Sequence, residues 1–166
     1  RMIRALILSD IHGETTTLRW LLEEVWKQVG PIDAYICLGD GVRDFDNAES
    51  FIRQRDEHAT MYAVRGNCEA EVDQMVLPFP CMADFSQLLT DGKVLYLTHG
   101  HHHSPDNLPP LPEGSLFLSG HTHVKLDEVR NGVRCLNPGS VSIPKDGSHS
   151  CLIYDGGEFS FRILEV

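Results

Sequence analysis

The sequence predicts an α/β protein in which two sheets pack together with helices outside. Three observations carry that expectation: short apolar runs alternate with a helical period in the first half, strands crowd together in the second half, and several runs end in a polar residue beside glycine. Ile3 to Leu8 is almost continuously apolar, the pattern of a strand buried on both faces. Leu18, Leu21, Leu22, Val25 and Val29 then recur at the helical period, with Thr15 or Thr16 as the expected cap and Gly30-Pro31 as the stop. Ala34 to Leu38 repeats the strand pattern. Ala48, Phe51, Ile52 and Arg55 suggest a second, shorter helix, and Met61 to Val64 is a third strand. Beyond about residue 80 the expected elements are strands: Ala83 to Leu89 and Lys93 to Thr98 around Asp91-Gly92, Leu116 to Leu118, Val124 to Val129 and Val133 to Leu136 around Asn131-Gly132, and Cys151 to Tyr154 and Phe159 to Leu164 around Gly156-Gly157. Residues 104–112 hold four of the nine prolines and read as a loop.

Composition narrows the classes. The 166 residues, 42% of them hydrophobic, contain no run of about 18 apolar residues, so the expectation is one soluble domain over residues 1–166 with no membrane partner. Basic residues number 14 against 24 acidic ones, a formal charge of -10, which argues against a stable nucleic-acid partner or an anionic membrane surface. Cys37, Cys68, Cys81, Cys135 and Cys151 are odd in number and show no paired CxxC spacing, which fits free thiols in the cytoplasm better than a disulfide framework or structural zinc. The stretch from Arg1 to Leu8 lacks the pattern of a signal peptide. A homo-oligomer remains open at this level.

Five apolar runs each deliver metal-competent side chains beside a glycine: Asp10 with His12, Asp40, Asn67, His99, and His121 with His123. In open α/β sheets, residues beyond the carboxyl ends of several strands can converge on one point. Such a polar cluster is costly to bury unless cations neutralise it. Carboxylate, amide oxygen and imidazole suit borderline divalent ions such as Mn²⁺, Fe²⁺ or Zn²⁺, and a carboxylate can bridge two of them. Two ions about 3.5 to 4 Å apart would clamp an in-line displacement at phosphorus and lower the pKa of a shared water.

The motifs Asp10-Ile11-His12, Gly39-Asp40, Gly66-Asn67-Cys68-Glu69, His99-Gly100-His101 and Gly120-His121-Thr122-His123 resemble those of the calcineurin-like metallophosphoesterases, and within them the small YfcE-type phosphodiesterases of bacteria and archaea. Asn137-Pro138-Gly139-Ser140 extends the likeness. The resemblance implies a four-layer α/β/β/α sandwich with a dinuclear site at the sheet ends. It implies that Asp10, His12 and His123 hold one ion, that Asn67, His99 and His121 hold the other, and that Asp40 bridges them. The ions would be divalent, manganese first with nickel, iron or zinc as alternatives. The implied activity is hydrolysis of a small or nucleotide-like phosphodiester by a metal-bridging hydroxide, with Asp40, Asn67, Cys68, His99 and His101 as the residues of catalysis.

Many members of the wider superfamily carry histidine where this chain has Cys68, and the small phosphodiesterase branch is similar in carrying cysteine there. The general acid therefore stays unassigned, although a thiol can donate a proton. Phosphomonoester or protein-phosphatase activity is the second enzyme reading. A scaffold role like that of Vps29, which shares the fold with a degraded site, is the third; all seven ligand positions are filled here, which favours chemistry.

Taken singly, Asp10 or Asp40 reads as a turn or capping residue, and only their joint occurrence with the other motifs reverses that. His101 is expected beside the metals or the substrate phosphate, with His102 and His103 solvated, and the loop from His101 to Pro112 is expected to lie over the metals and set specificity. Glu69 reads first as a helix-start charge, with hydrogen bonding to a ligand residue as the alternative. Trp20 and Trp26 read as packing on the first helix, the remaining cysteines as small buried hydrophobes, and His58 and His149 carry no assigned role.

Overall fold

The computed structural model describes residues 3–69, 76–89 and 91–165, with Arg1 and Met2 of the sequence start outside that set. Strand β1 (Arg4–Leu8) lies inside a sheet covered on both faces, which is why its apolar run is nearly unbroken. It pairs in parallel with β2 (Ala34–Cys37), which pairs in parallel with β3 (Thr60–Val64) and onward to β4 (Cys81–Met82). On its other side β1 pairs antiparallel with β10 (Ser148–Asp155), and β11 (Glu158–Glu165) closes that edge.

The second sheet has the order β5 (Phe85–Leu88), β6 (Val94–Leu97), β7 (Leu116–Leu118), β9 (Val133–Pro138) and β8 (Lys125–Arg130). Its inner strands β6, β7 and β9 run parallel and the outer two antiparallel, so both sheets are mixed.

Alternation along each strand builds the layers. Leu6, Leu8, Tyr35, Cys37, Met61 and Ala63 face α1 (Thr15–Trp26), α2 (Val42–Asn47) and α3 (Glu49–Arg55). Ala5, Ile7, Ile36 and Leu38 face Leu97, Leu118 and Leu136 of the second sheet. Between the sheets, at the end where β1, β2 and β3 begin, this layer opens into an apolar cleft of about 540 Å³. Phe117, Val133 and Cys135 on the outer face of the second sheet are covered by Leu108 and Leu111 of the proline-rich loop. This is the expected α/β sandwich of two mixed sheets; among the described residues helices flank one sheet and the loop takes their place on the other.

Several local expectations change. The first helix is capped at Glu14 with no side-chain cap bond, and Thr15 is already helical, because the turn at Gly13 sets the helix start. The second helix is two, α2 and α3, meeting at Ala48. The strand expected over Ala83 to Leu89 is β5, Phe85–Leu88 in the second sheet, and the two residues before that run form β4 in the first sheet, a strand not expected from the sequence. Asp84 sits at the crossover, where its carboxylate accepts hydrogen bonds from Tyr96 and Thr98 at 2.9 and 2.6 Å. Trp26 packs on Phe51 and donates to Tyr35 as a packing residue does, whereas Trp20 is 59% exposed because it lies off the Leu18-Leu21-Leu22-Val25 stripe. Cys37, Cys81, Cys135 and Cys151 are buried thiols and Cys68 is an exposed one. No helix among the described residues is long and apolar enough to cross a membrane.

Candidate metal centre

The site lies where the parallel strands of both sheets end. Asp10 and His12 follow β1, Asp40 follows β2, Asn67 and Cys68 follow β3, His99 follows β6, and His121 and His123 follow β7. Among the described residues six non-glycine residues have positive φ, and five of them belong to this set: Asp10 (59°), His12 (46°), Asp40 (54°), His121 (73°) and His123 (64°). Left-handed backbone is disfavoured for L-residues, so its concentration here marks loops bent to aim side chains inward.

All seven expected ligands come together. His12 Nε2 and His123 Nε2 stand 3.6 and 3.5 Å from Asp10 Oδ1. His121 Nδ1 stands 3.2 Å from Asn67 Oδ1 and 3.3 Å from His99 Nε2. Asp40 Oδ2 lies between the two groups, 3.7 Å from His12 Nε2 and 3.2 Å from His99 Nε2. Ligands held about 2.1 Å from a common ion are about 3 to 3.5 Å from each other, so these separations suit coordination.

Asp10 and His99 are fully buried and Asp40 nearly so. Asp10 Oδ1 and His12 Nε2 are buried without a hydrogen-bond partner, an arrangement that costs free energy unless a cation satisfies them. His99 Nδ1 and His123 Nδ1 contact the carbonyls of Leu38 and Ile143 at 2.8 and 2.7 Å. Those contacts assign a ring proton to Nδ1 and point Nε2 at the cluster. Burial alone would raise the Asp40 carboxyl, but hydrogen bonds from His99 and the Cys68 N–H outweigh it and hold the group well below the usual carboxylate range. Burial likewise works against the His99 imidazolium, yet Asp40 and Asp10 together raise His99 above its ordinary value. His121 is lowered by burial and by neighbouring His99.

The other expected residues divide. Cys68 is exposed, and its sulfur shares a cluster with His12 and Asp40 whose ligand atoms lie within 4.8 Å of one another. Burial and the Asp40 charge push its thiol up. The His101 ring is exposed with its centroid 5.4 Å from that of His99, beside the cluster as expected. His103, expected to be solvated, is half-buried and meets the Tyr96 ring in a T-shaped contact. Leu108 and Leu111 place their part of the proline-rich loop on the outer face of the second sheet, so that part covers apolar surface, whereas the loop was expected over the cluster.

Residues beyond the expected ligands, Glu69, Asn137 and Ser140 of the quoted motifs and Ser142 outside them, hold the ligands in place. The Asp10 carbonyl accepts from the Ser140 and Ser142 hydroxyls, both at 2.9 Å, and Asn137 donates to Gly120 O and Thr122 Oγ1 in the loop bearing His121 and His123. The Glu69 carboxylate accepts from the N–H groups of Asp40, Gly41 and Val42, so it serves the start of α2, an element distant in sequence. The Asn137 to Ser140 motif was the available signal for the first group.

The chain matches the calcineurin-like phosphoesterase superfamily domain over residues 3–157. It is 39% identical over 156 residues to Phosphodiesterase YfcE of Escherichia coli strain K12, covering 89% of this chain and 84% of that protein. The solved structure of the E. coli phosphoesterase Yfce superposes with a TM-score of 0.73 at 31% identity, over 95% of this chain and 91% of the other. Vacuolar Protein Sorting 29 from Cryptosporidium parvum shares the fold with a TM-score of 0.55 at 17% identity, over 99% and 98% of the two chains. By its motif order, its sandwich of mixed sheets and these likenesses, the chain belongs to the calcineurin-like phosphoesterase superfamily.

Proposed function

We propose that the chain is a divalent-metal-dependent phosphodiesterase that hydrolyses a small or nucleotide-like diester in the cytoplasm from a dinuclear centre. The observation that carries this reading is the position of Asp40 Oδ2 between His12 and His99, with Oδ1 engaged by the Cys68 N–H at 2.9 Å. One carboxylate oxygen is thereby left free to face two ligand groups. The unpartnered Asp10 Oδ1 and His12 Nε2 fit a cation, and the mixed oxygen and imidazole donors suit Mn²⁺ ahead of Ni²⁺, Fe²⁺ or Zn²⁺.

In this reading Asp10, His12 and His123 hold one ion, Asn67, His99 and His121 hold the other, and Asp40 touches both. Such a pair of ions, when bound, supplies charge stabilisation at phosphorus and a water of lowered pKa. Leu38 O and Ile143 O keep the Nε2 atoms of His99 and His123 aimed inward. The raised pKa of Cys68 keeps its thiol protonated near neutrality, so an exposed proton donor stands next to Asp40. His101, exposed at the rim, is available to the substrate phosphate. The name of the 39%-identical relative and the cysteine at position 68 both support diesters over monoesters.

Metal analysis after saturation with Mn²⁺ should give about two ions per chain, and the loaded protein should cleave bis(p-nitrophenyl) phosphate faster than p-nitrophenyl phosphate. A single ion at saturation, or a preference for the monoester, would overturn the reading.

Ion binding should also expel a proton. In the metal-free protein the His99 pKa lies above its ordinary 6.5, so protonated His99 stabilises the fold fully below pH 6.5, and that contribution is lost as pH rises through the raised value. Mn²⁺ requires the neutral imidazole, so its affinity should climb with pH across the same window. Calorimetry at pH 6.5 in buffers of different ionisation enthalpy should give different apparent heats; identical heats would contradict proton release.

A further inference from the structure

We propose that Glu69 is a positioning residue that locks residues 40–42 to residues 66–69 and so sets how tightly the centre holds its ions; this rests on the metal-centre reading above. The lock has a sequence origin. Helix α2 has Gly41 at its N-cap, which has no side chain to cap it, so the leading N–H groups need an acceptor from elsewhere. Glu69 supplies it: Oε2 accepts from Asp40 N at 3.0 Å, and Oε1 accepts from Gly41 N and Val42 N at 3.1 and 3.2 Å.

The same short segment grips the Asp40 side chain. The Cys68 N–H donates to Asp40 Oδ1, and the two segments approach so closely at Gly66 that a Cβ there would lie 2.0 Å from that oxygen. Asp40 is thus held by backbone at its carboxylate and by Glu69 at its own N–H, with its φ of 54° in the left-handed region. Free of that clamp, a non-glycine residue relaxes toward ordinary backbone angles and Oδ2 turns with it. Because Oδ2 faces both ligand groups and Asn67 lies on the clamped segment, loosening Glu69 should weaken both ions together.

The test compares wild type, Glu69→Gln and Glu69→Ala by Mn²⁺ calorimetry, by hydrogen exchange of the amides of Asp40, Gly41 and Val42, and by circular dichroism. Glu69→Ala should weaken Mn²⁺ binding about 10- to 100-fold, with faster exchange at the three amides and an unchanged spectrum. Glu69→Gln keeps one acceptor oxygen and should fall between the two in affinity and protection. Wild-type affinity in Glu69→Ala would overturn the proposal. So would equal weakening in both variants with amide protection intact, since that assigns the effect to charge alone. Wild-type protein that takes up no Mn²⁺ would instead sink the metal-centre reading, and this inference with it.

Discussion

Asp40→Asn should lower turnover by at least about 10³-fold, equivalent to about 4 kcal/mol in the barrier, while circular dichroism stays at wild type. Asparagine has the same shape and tolerates left-handed backbone, so the loop at φ 54° need not move. Its amide can still accept from the Cys68 N–H through the remaining oxygen, which places the NH₂ group where Oδ2 faces His12 and His99. A donor there repels cations that a carboxylate would join. Stability should be spared because Asp40 sits past the end of β2 and outside the apolar clusters. His121→Ala should act in the same direction by removing one ligand from the His99 side. Turnover retained in Asp40→Asn would remove the bridging role.

Cys68→His should raise activity on poor leaving groups by about 10²-fold or more relative to activated diesters, as general acid catalysis typically contributes about 10²- to 10⁴-fold. The thiol is exposed beside Asp40 and has a raised pKa, so it is a protonated but weak acid at neutrality. An imidazole at that position brings a stronger acid within the same cluster, and its benefit grows as the leaving oxygen becomes more basic. The competing account has Cys68 merely shaping the loop around Asn67. A leaving-group series on wild type, Cys68→Ser and Cys68→His separates the two: one common dependence on leaving-group pKa would assign Cys68 to packing.

Much of this was legible in the sequence because burial writes itself into composition. β1, β2 and β7 are short apolar runs buried largely on both faces, and the second-half hairpins announce themselves at Asp91-Gly92, Asn131-Gly132 and Gly156-Gly157. The break between β4 and β5 was not legible. Its polar residue, Asp84, matters through bonds to Tyr96 and Thr98, and nothing local records them. The ligands could be found because each is a metal-competent residue beside glycine at the end of a run. Their supports were legible only as members of motifs, Glu69 and Ser140 among them; which groups they serve was not, since Ser142 serves Asp10 from 132 residues away and Glu69 serves Val42 from 27. Hydrogen bonds of such span have no period.

The left-handed backbones at Asp10, His12, Asp40, His121 and His123 have a consequence for how such a protein ages in evolution. Each one holds an L-residue in a conformation that costs on the order of 1 kcal/mol, and the buried carboxylates and imidazoles add repulsion and desolvation whenever no cation is present. The two sheets need none of this, because their apolar layers are built mainly from strand and helix side chains. Selection for hydrolysis therefore keeps the chain less robust than its scaffold allows, and a lineage released from hydrolysis gains stability with each ligand it discards. Decay of the centre runs downhill while the sandwich survives, so a fold of this kind can outlive its chemistry and pass intact to a purely architectural use.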